Sequence, residues 1–257
     1  MNLKKKISRF LPKRLKAILR ILAGRVDRSS ILAIRSFDGF EIAYRRGTAD
    51  EGVIVHNCNE NIYFTGVPEY QPAEGYVVID VGAHIGIFAI QSSSRVGHGK
   101  VYAIEASEDT YNLLRINVAL NQCTNISAHH LALADKEGMC TLYHSDSGNW
   151  GHSTVKKRSG SSETVKCCTL SAFLERNRID KCHFLKLNCE GGEFPILLST
   201  PDYILQRIST ILVLYHCDLW IDNTEADLIS HLESSGFDCV MRNREEKRGW
   251  IIATRNE

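Results

Sequence analysis

No stretch of this 257-residue chain approaches the ~20 consecutive apolar residues that a membrane-spanning helix needs. The N-terminus opens on Lys4-Lys5-Lys6, but Lys13, Arg14, Lys16 and Arg20 break the apolar stretch behind it, which argues against a secretory signal. Proline is scarce, at 5 residues, and glycine is ordinary at 18, so collagen-like and low-complexity classes drop out. No Cys-x-x-Cys pair occurs among the nine cysteines, leaving a zinc ribbon or a thioredoxin-like redox site without support. An odd number of scattered cysteines reads as free thiols in a reducing compartment, hence a cytoplasmic protein. Net charge is also missing, at +1 formally, yet that average conceals a division. Residues 1–30 carry ten basic residues and one acid, or +9, while the remaining 21 basic and 29 acidic residues give −8.

That division suggests three parts: a basic arm (1–30), a hairpin and cover segment (31–75) and an α/β domain (76–257). In the arm, Leu11, Leu15, Ile18 and Leu22 recur at helical spacing over Phe10–Ala23, with Pro12 suited to the first turn and Gly24 to the stop. A basic amphipathic helix of this kind could lie on an anionic membrane, at the inner surface, or pack on its own domain. Asp38-Gly39 between Ile31–Phe37 and Phe40–Arg45 is a two-residue hairpin signal. Residues 46–75 read as loop and short helix covering the α/β domain.

From Tyr76 onward apolar strands and helices alternate. Strands are expected at Tyr76–Val81, Val101–Ile104, Ile126–Leu131, Cys182–Leu187, Thr210–Tyr215, Phe237–Met241 and Trp250–Thr254. Helices are expected at Ile85–Arg95, Ser107–Asn121, Leu170–Arg178, Glu193–Leu198 and Glu225–Ser235. Continuous apolar strands between helices imply a doubly wound, mostly parallel Rossmann-like sheet covered on both faces. Asp135-Lys136-Glu137-Gly138 with Met139–His144 reads as an added hairpin, and the polar stretch Ser145–Ser162 as a lid, a binding loop or disordered chain.

The strand Val77–Val81 runs into Gly82-Ala83-His84-Ile85-Gly86, a glycine turn that opens a helix. Gly82 permits a tight turn and close approach to a ligand, and Gly86 permits close helix packing. No Gly-Lys-Ser/Thr follows, which excludes a P-loop. Asp80 at the strand end would repel a pyrophosphate but could hold an amino group. Glu105 closes the next strand, where a carboxylate grips a ribose diol. A nucleoside without pyrophosphate but with an amino-acid tail satisfies both, which describes S-adenosylmethionine.

Several segments in one order carry a family resemblance between about Gly47 and Leu198. They are Val78-Ile79-Asp80-Val81-Gly82-Ala83-His84-Ile85-Gly86, Val101-Tyr102-Ala103-Ile104-Glu105-Ala106, Asn117-Val118-Ala119-Leu120-Asn121, Leu131-Ala132-Leu133-Ala134-Asp135-Lys136-Glu137-Gly138, and Phe184-Leu185-Lys186-Leu187-Asn188-Cys189-Glu190-Gly191-Gly192-Glu193. With these the chain resembles the FkbM-type family of class I S-adenosylmethionine-dependent methyltransferases. The resemblance implies a seven-stranded Rossmann-like sheet and O-methyl transfer to a sugar, glycolipid or secondary metabolite. It places Asp80, Gly82, Ala83, His84 and Gly86 at the methionine end of the cofactor, Glu105 on the ribose, and Ala106, Ala134 and Asp135 near the adenine. It brings Lys186, Asn188, Glu190 and Glu193 to the transferable methyl group.

Two departures stand out: Asn188 replaces the usual Asp, and Tyr215-His216 stands where Glu-His is common. An amide orients a hydroxyl but takes no proton and is a poor metal ligand, so no metal is expected. Lys186, Glu190 and His216 are the catalytic candidates, with Asn188 and Glu193 facing the acceptor. Tyr215 and Trp220 offer an acceptor wall or ordinary core. The partners expected are a small-molecule, glycan or glycolipid acceptor and, through residues 1–30, an anionic membrane. The alternatives are a nucleic-acid-associated methyltransferase recruited by the arm, disfavoured by the acidic body, and a non-catalytic S-adenosylmethionine-binding protein.

Overall fold

The computed structural model describes residues 32–59, 61–145, 151–157 and 160–255. The basic helix expected within residues 1–30, and Trp150 of the polar stretch, lie outside them. Among the described residues no helix is long and apolar enough to cross a membrane.

A hairpin of β1 (Leu32–Phe37) and β2 (Phe40–Arg45) comes first, turning at Asp38 and Gly39 with both φ angles positive, as that dipeptide suggests. The cover segment holds α1 (Asp50–Ile54), one π-helical turn (Val55–Asn59) and α2 (Ile62–Thr65). The main domain then alternates β3 (Val77–Val81), α3 (Ile87–Val96), β4 (Lys100–Glu105), α4 (Glu108–Leu120) and β5 (Ile126–His130). After an insertion it resumes with α5 (Leu170–Arg176), β9 (Cys182–Leu187), α6 (Glu193–Leu198), α7 (Asp202–Leu205) and β10 (Ile208–His216). It closes with α8 (Glu225–Ser234), β11 (Asp238–Arg242) and β12 (Arg248–Thr254).

The central sheet has seven strands in the order β11-β12-β10-β9-β3-β4-β5. All neighbours from β10 to β5 run parallel, while β12 is antiparallel to both β10 and β11. This is the mostly parallel, doubly wound seven-stranded sheet expected from the sequence. Apolar residues on both faces of the five inner strands divide the core in two. Val78, Ala103, Phe184, Leu212 and Ile252 join α3, α4 and the cover segment on one face. Ile79, Ile104, Leu185, Val213 and Ile251 join α5, α6, α7 and α8 on the other. The order reverses between β3 and β9, so the crevice opens at the carboxyl ends of those two strands.

The expected added hairpin is a separate three-stranded sheet. Strand β7 (Gly138–Tyr143) pairs antiparallel with β8 (Ser162–Cys168), which also pairs with β6 (Ala132–Leu133). Strand β8 escapes sequence reading because only Val165, Cys167 and Cys168 are buried in it, between polar residues. All nine cysteines are free, but only Cys167, Cys168 and Cys182 are fully buried.

The hairpin is stitched to α4 by two asparagines. The Asn117 side chain accepts from Ala43 N (2.7 Å) and donates to the carbonyls of Ala43 and Ile85. Asn121 repeats the exchange with Glu41, accepting at 2.8 Å and donating at 2.7 Å. Four residues of helix rise about 6 Å and two residues of strand about 6.8 Å, so two amides one helical turn apart match the edge of β2. Beyond β2, Arg45 donates from its guanidinium to both Asp50 oxygens, at 2.8 and 3.0 Å, and fixes the approach to α1.

Candidate functional site

At the carboxyl ends of β3, β4 and β9 lies a cavity of about 340 Å³, a size suited to a small-molecule ligand. Its first wall is the glycine turn, from which Gly82, Ala83 and His84 border the space. Gly82 has φ +72, and a Cβ there would lie 1.9 Å from the Asn188 carbonyl oxygen. Glycine is therefore required because the ends of β3 and β9 touch, a reason separate from any ligand. Gly86 does not border the cavity; a Cβ on it would meet Leu114 of α4 at 2.3 Å, so the close packing is against that helix rather than the strand.

The second wall is Glu105. Its carboxylate accepts from His84 N and Ser107 N, both at 2.9 Å, and stands fixed at the cavity edge. Burial pushes its carboxyl up from the ordinary value, and the two amides counter that. Ala106, Leu131, Ala132, Leu133 and Leu142 form an apolar slot beside it. The adenine segment expected at Ala134 and Asp135 therefore sits slightly earlier in the chain. Ala134 turns into the small third core and Asp135 is exposed, neither bordering the cavity.

An anchored carboxylate beside an apolar slot, next to a turn of positive φ, fits a nucleoside with an amino-acid tail. Asp80 does not border the cavity. It is completely buried, and its Oδ1 takes a 2.7 Å hydrogen bond from Lys186 Nζ, so its amino partner belongs to the protein itself. The other oxygen, Oδ2, has no partner among the described residues. Asp80 and Lys186 are directly paired positions of β3 and β9, so the parallel register brings them together.

Lys186 does reach the cavity, between aromatic rings. Its Nζ lies 5.3 Å from the Tyr63 ring centre and 5.7 Å from that of Phe88. Burial alone would push the ammonium down, but the Asp80 carboxylate outweighs it and holds Lys186 above the ordinary lysine value. Lys186 is thus kept protonated and suits electrostatic anchoring rather than proton abstraction. Asn188 borders the cavity next to it.

The rest of the β9 segment divides differently from expectation. Glu190, with φ +48, borders the cavity. Its Oε1 lies 3.5 Å from His216 Nε2, and its Oε2 lies 3.9 Å from Arg248. Glu193 is completely buried and away from the cavity, accepting from Cys189 N and Gly191 N at 2.8 Å each. It clamps the turn rather than facing an acceptor. His216 is likewise withdrawn, its Nδ1 lying 3.1 Å from Glu193. Burial would lower the imidazole, but Glu193 and then Glu190 raise it; held between those carboxylates, His216 acts as a brace rather than a free base. Tyr215 lies in the core and Trp220 donates to the Gly191 carbonyl at 3.0 Å; neither forms an acceptor wall.

Two contributions are not evident from the sequence. Tyr63 and Trp250, from α2 and β12, stack at 5.8 Å and both border the cavity. Gly151, His152 and Thr154 of the polar stretch also border it, held by Ser153, whose buried hydroxyl donates to the Glu190 carbonyl at 2.7 Å. Within its described residues that stretch forms part of the cavity wall.

A family model described as the methyltransferase FkbM domain matches residues 80–239. A curated relative, methyltransferase 1 of Beauveria bassiana (strain ARSEF 2860), is 26% identical over 180 residues, covering 62% of this chain and 71% of its own length. Among solved structures, precorrin-6y C5,15-methyltransferase from Geobacter metallireducens GS-15 aligns with a TM-score of 0.45 and 12% identity, over 76% of this chain and 88% of that one. A SAM-dependent methyltransferase from Aquifex aeolicus aligns with a TM-score of 0.43 and 17% identity, over 75% and 88%.

Proposed function

The chain belongs to the FkbM methyltransferase family, and from that premise we propose that it methylates a hydroxyl oxygen of a sugar, a glycolipid or a secondary metabolite. It is a methyltransferase, and its methyl donor is S-adenosylmethionine. When bound, the donor supplies an electrophilic methyl group, and the protein must align the acceptor and exclude water.

The observation that carries the reading is Glu105, a buried carboxylate fixed by two backbone amides at the edge of the cavity. In the proposed assignment it holds the ribose hydroxyls, with the slot from Ala106 to Leu133 taking the base. The glycine turn at Gly82, Ala83 and His84 receives the amino-acid end. Asp80 acts behind the site by fixing the Lys186 ammonium. Lys186 then stabilises negative charge on the acceptor oxygen, while Asn188 and Glu190 orient it. His216 and Glu193 hold Glu190 and the β9 turn in place.

Incubating cell extracts with the protein and methyl-labelled S-adenosylmethionine tests this directly. A labelled product whose methyl group sits on oxygen is the expected result; label on nitrogen or carbon alone would reject O-methylation.

We further propose that residues 1–30 carry the protein to an anionic membrane surface, on the +9 charge and the apolar helical stripe of that segment. Flotation with liposomes containing anionic lipid should recover the full chain and lose it when residues 1–30 are removed. Recovery that survives the deletion would reject the idea.

A further inference from the structure

The part of the cavity away from the glycine turn and Glu105 has its own character. Tyr63, Phe88 and Trp250 wall it, stacked or edge-on to one another at 5.2–5.8 Å between ring centres. Val53, Ile62 and Leu214 complete an apolar surface, drawn largely from the cover segment. Its polar groups are His56, Asn57, Lys186 and Asn188. The Asn57 amide donates to the Val53 carbonyl at 2.8 Å. Between the Tyr63 and Phe88 rings, the chamber presents an incoming oxygen with the Lys186 ammonium.

Such a chamber discriminates among hydroxyl compounds. A bare sugar ring carries several hydroxyls, and each one buried here without a partner is unfavourable. An aliphatic hydroxyl also needs a base to become nucleophilic, whereas Lys186 is a cation, Asn188 an amide, and the bordering carboxylate Glu190 is turned toward His216 and Arg248. A flat unsaturated ring bearing one acidic hydroxyl matches both features. Its face packs against Tyr63, Phe88 and Trp250, and its oxygen, once ionised, meets the ammonium.

We infer that the acceptor is a phenol or enol carried on a flat apolar ring, bound as its oxyanion against Lys186 in the chamber walled by Tyr63, Phe88 and Trp250. The inference rests on the O-methyltransferase reading above and narrows it. The acceptor hydroxyl loses its proton to water on binding, and the Lys186 ammonium, shared with Asp80, stabilises the oxyanion. An oxygen lone pair then forms the O–CH3 bond as the methyl–sulfur bond breaks, and the electron pair of that bond stays on sulfur.

The experiment uses the full chain with S-adenosylhomocysteine in excess and 2-naphthol as the probe. Bound 2-naphthol, followed by the absorbance of its oxyanion across a pH titration, should ionise at least about one pH unit lower than free 2-naphthol. Lys186→Met should abolish that shift. Because this variant orphans the buried Asp80, the double variant Asp80→Asn/Lys186→Met is measured beside it and should also lack the shift. Failure of 2-naphthol to bind the wild-type chain, or binding with unaltered ionisation, overturns the inference without reference to any variant.

Turnover with labelled S-adenosylmethionine separates this inference from the reading beneath it. Methylation of 2-naphthol at least tenfold faster than of decahydro-2-naphthol or octyl glucoside supports the proposal. Faster methylation of the glucoside or the saturated alcohol overturns it and leaves O-methyl transfer standing. Methylation of 2-naphthylamine alone overturns both.

Discussion

Replacing Gly82 with alanine probes the junction on which the site is built. The residue has φ +72, where an L side chain loses about 1 kcal/mol or more. The new methyl group would also stand 1.9 Å from the Asn188 carbonyl oxygen and 2.8 Å from its carbon, where a Cβ essentially never comes closer than 3.0 Å. Backbone atoms cannot rotate aside as a side-chain tip can. The ends of β3 and β9 must separate by about 1 Å, and overpacking of this kind costs about 1–3 kcal/mol. The sum is about 3 kcal/mol, a large share of the roughly 5–15 kcal/mol that stabilises a domain. Separation of these strand ends also pulls Lys186 and Asn188 away from the glycine turn. Urea unfolding should therefore show a loss of about 3 kcal/mol, and calorimetry a drop in S-adenosylhomocysteine affinity of more than tenfold. A loss below about 1 kcal/mol with unchanged affinity would refute the claim that strand contact dictates this glycine.

Two further outcomes rest on buried polar groups. Asn117→Ala strips partners from the amide and carbonyl of Ala43 and the carbonyl of Ile85; it should lower unfolding free energy by about 3 kcal/mol and raise hydrogen exchange in β2, whereas an exposed control such as Glu108→Ala should do neither. The His216–Glu193 pair should shape stability against pH. His216 is raised from 6.5 and Glu193 lowered from 4.5, so their contribution is complete between those values. It declines as pH rises above 6.5 through the folded His216 value, and again as pH falls below 4.5. Unfolding measured from about pH 5 to pH 9 should show the upper decline in the wild type, and His216→Gln should flatten it; an identical profile in the variant would count against the brace.

The sheet was legible because each central strand is an apolar run flanked by turn residues, and strand ends carry the chemistry. Asp80, Glu105 and Lys186 could each be singled out on that ground. Their partnership could not, since Asp80 meets Lys186 only because β9, the sixth strand after β3 in the chain, lies beside it in the sheet. Glu193 and His216 look like acceptor-facing residues in the sequence for the same reason. Only the fold turns Glu193 onto the amides of Cys189 and Gly191, and His216 onto Glu193. Tyr63 carries no local signal, as its meaning comes from Trp250, Phe88 and Lys186, all distant in the chain. Ala134 and Asp135 miss the cavity because β6 pairs with β8, a strand too polar to be recognised from its sequence.

The central claim is that Glu105 and the glycine turn hold S-adenosylmethionine. Calorimetric titration of S-adenosylhomocysteine into the wild-type chain and into Glu105→Gln tests it most directly, since glutamine keeps the shape of the side chain and removes its charge. The account predicts one site per chain in the wild type and at least tenfold weaker binding in the variant. Equal affinity in the two proteins, or no binding to the wild type, would contradict it.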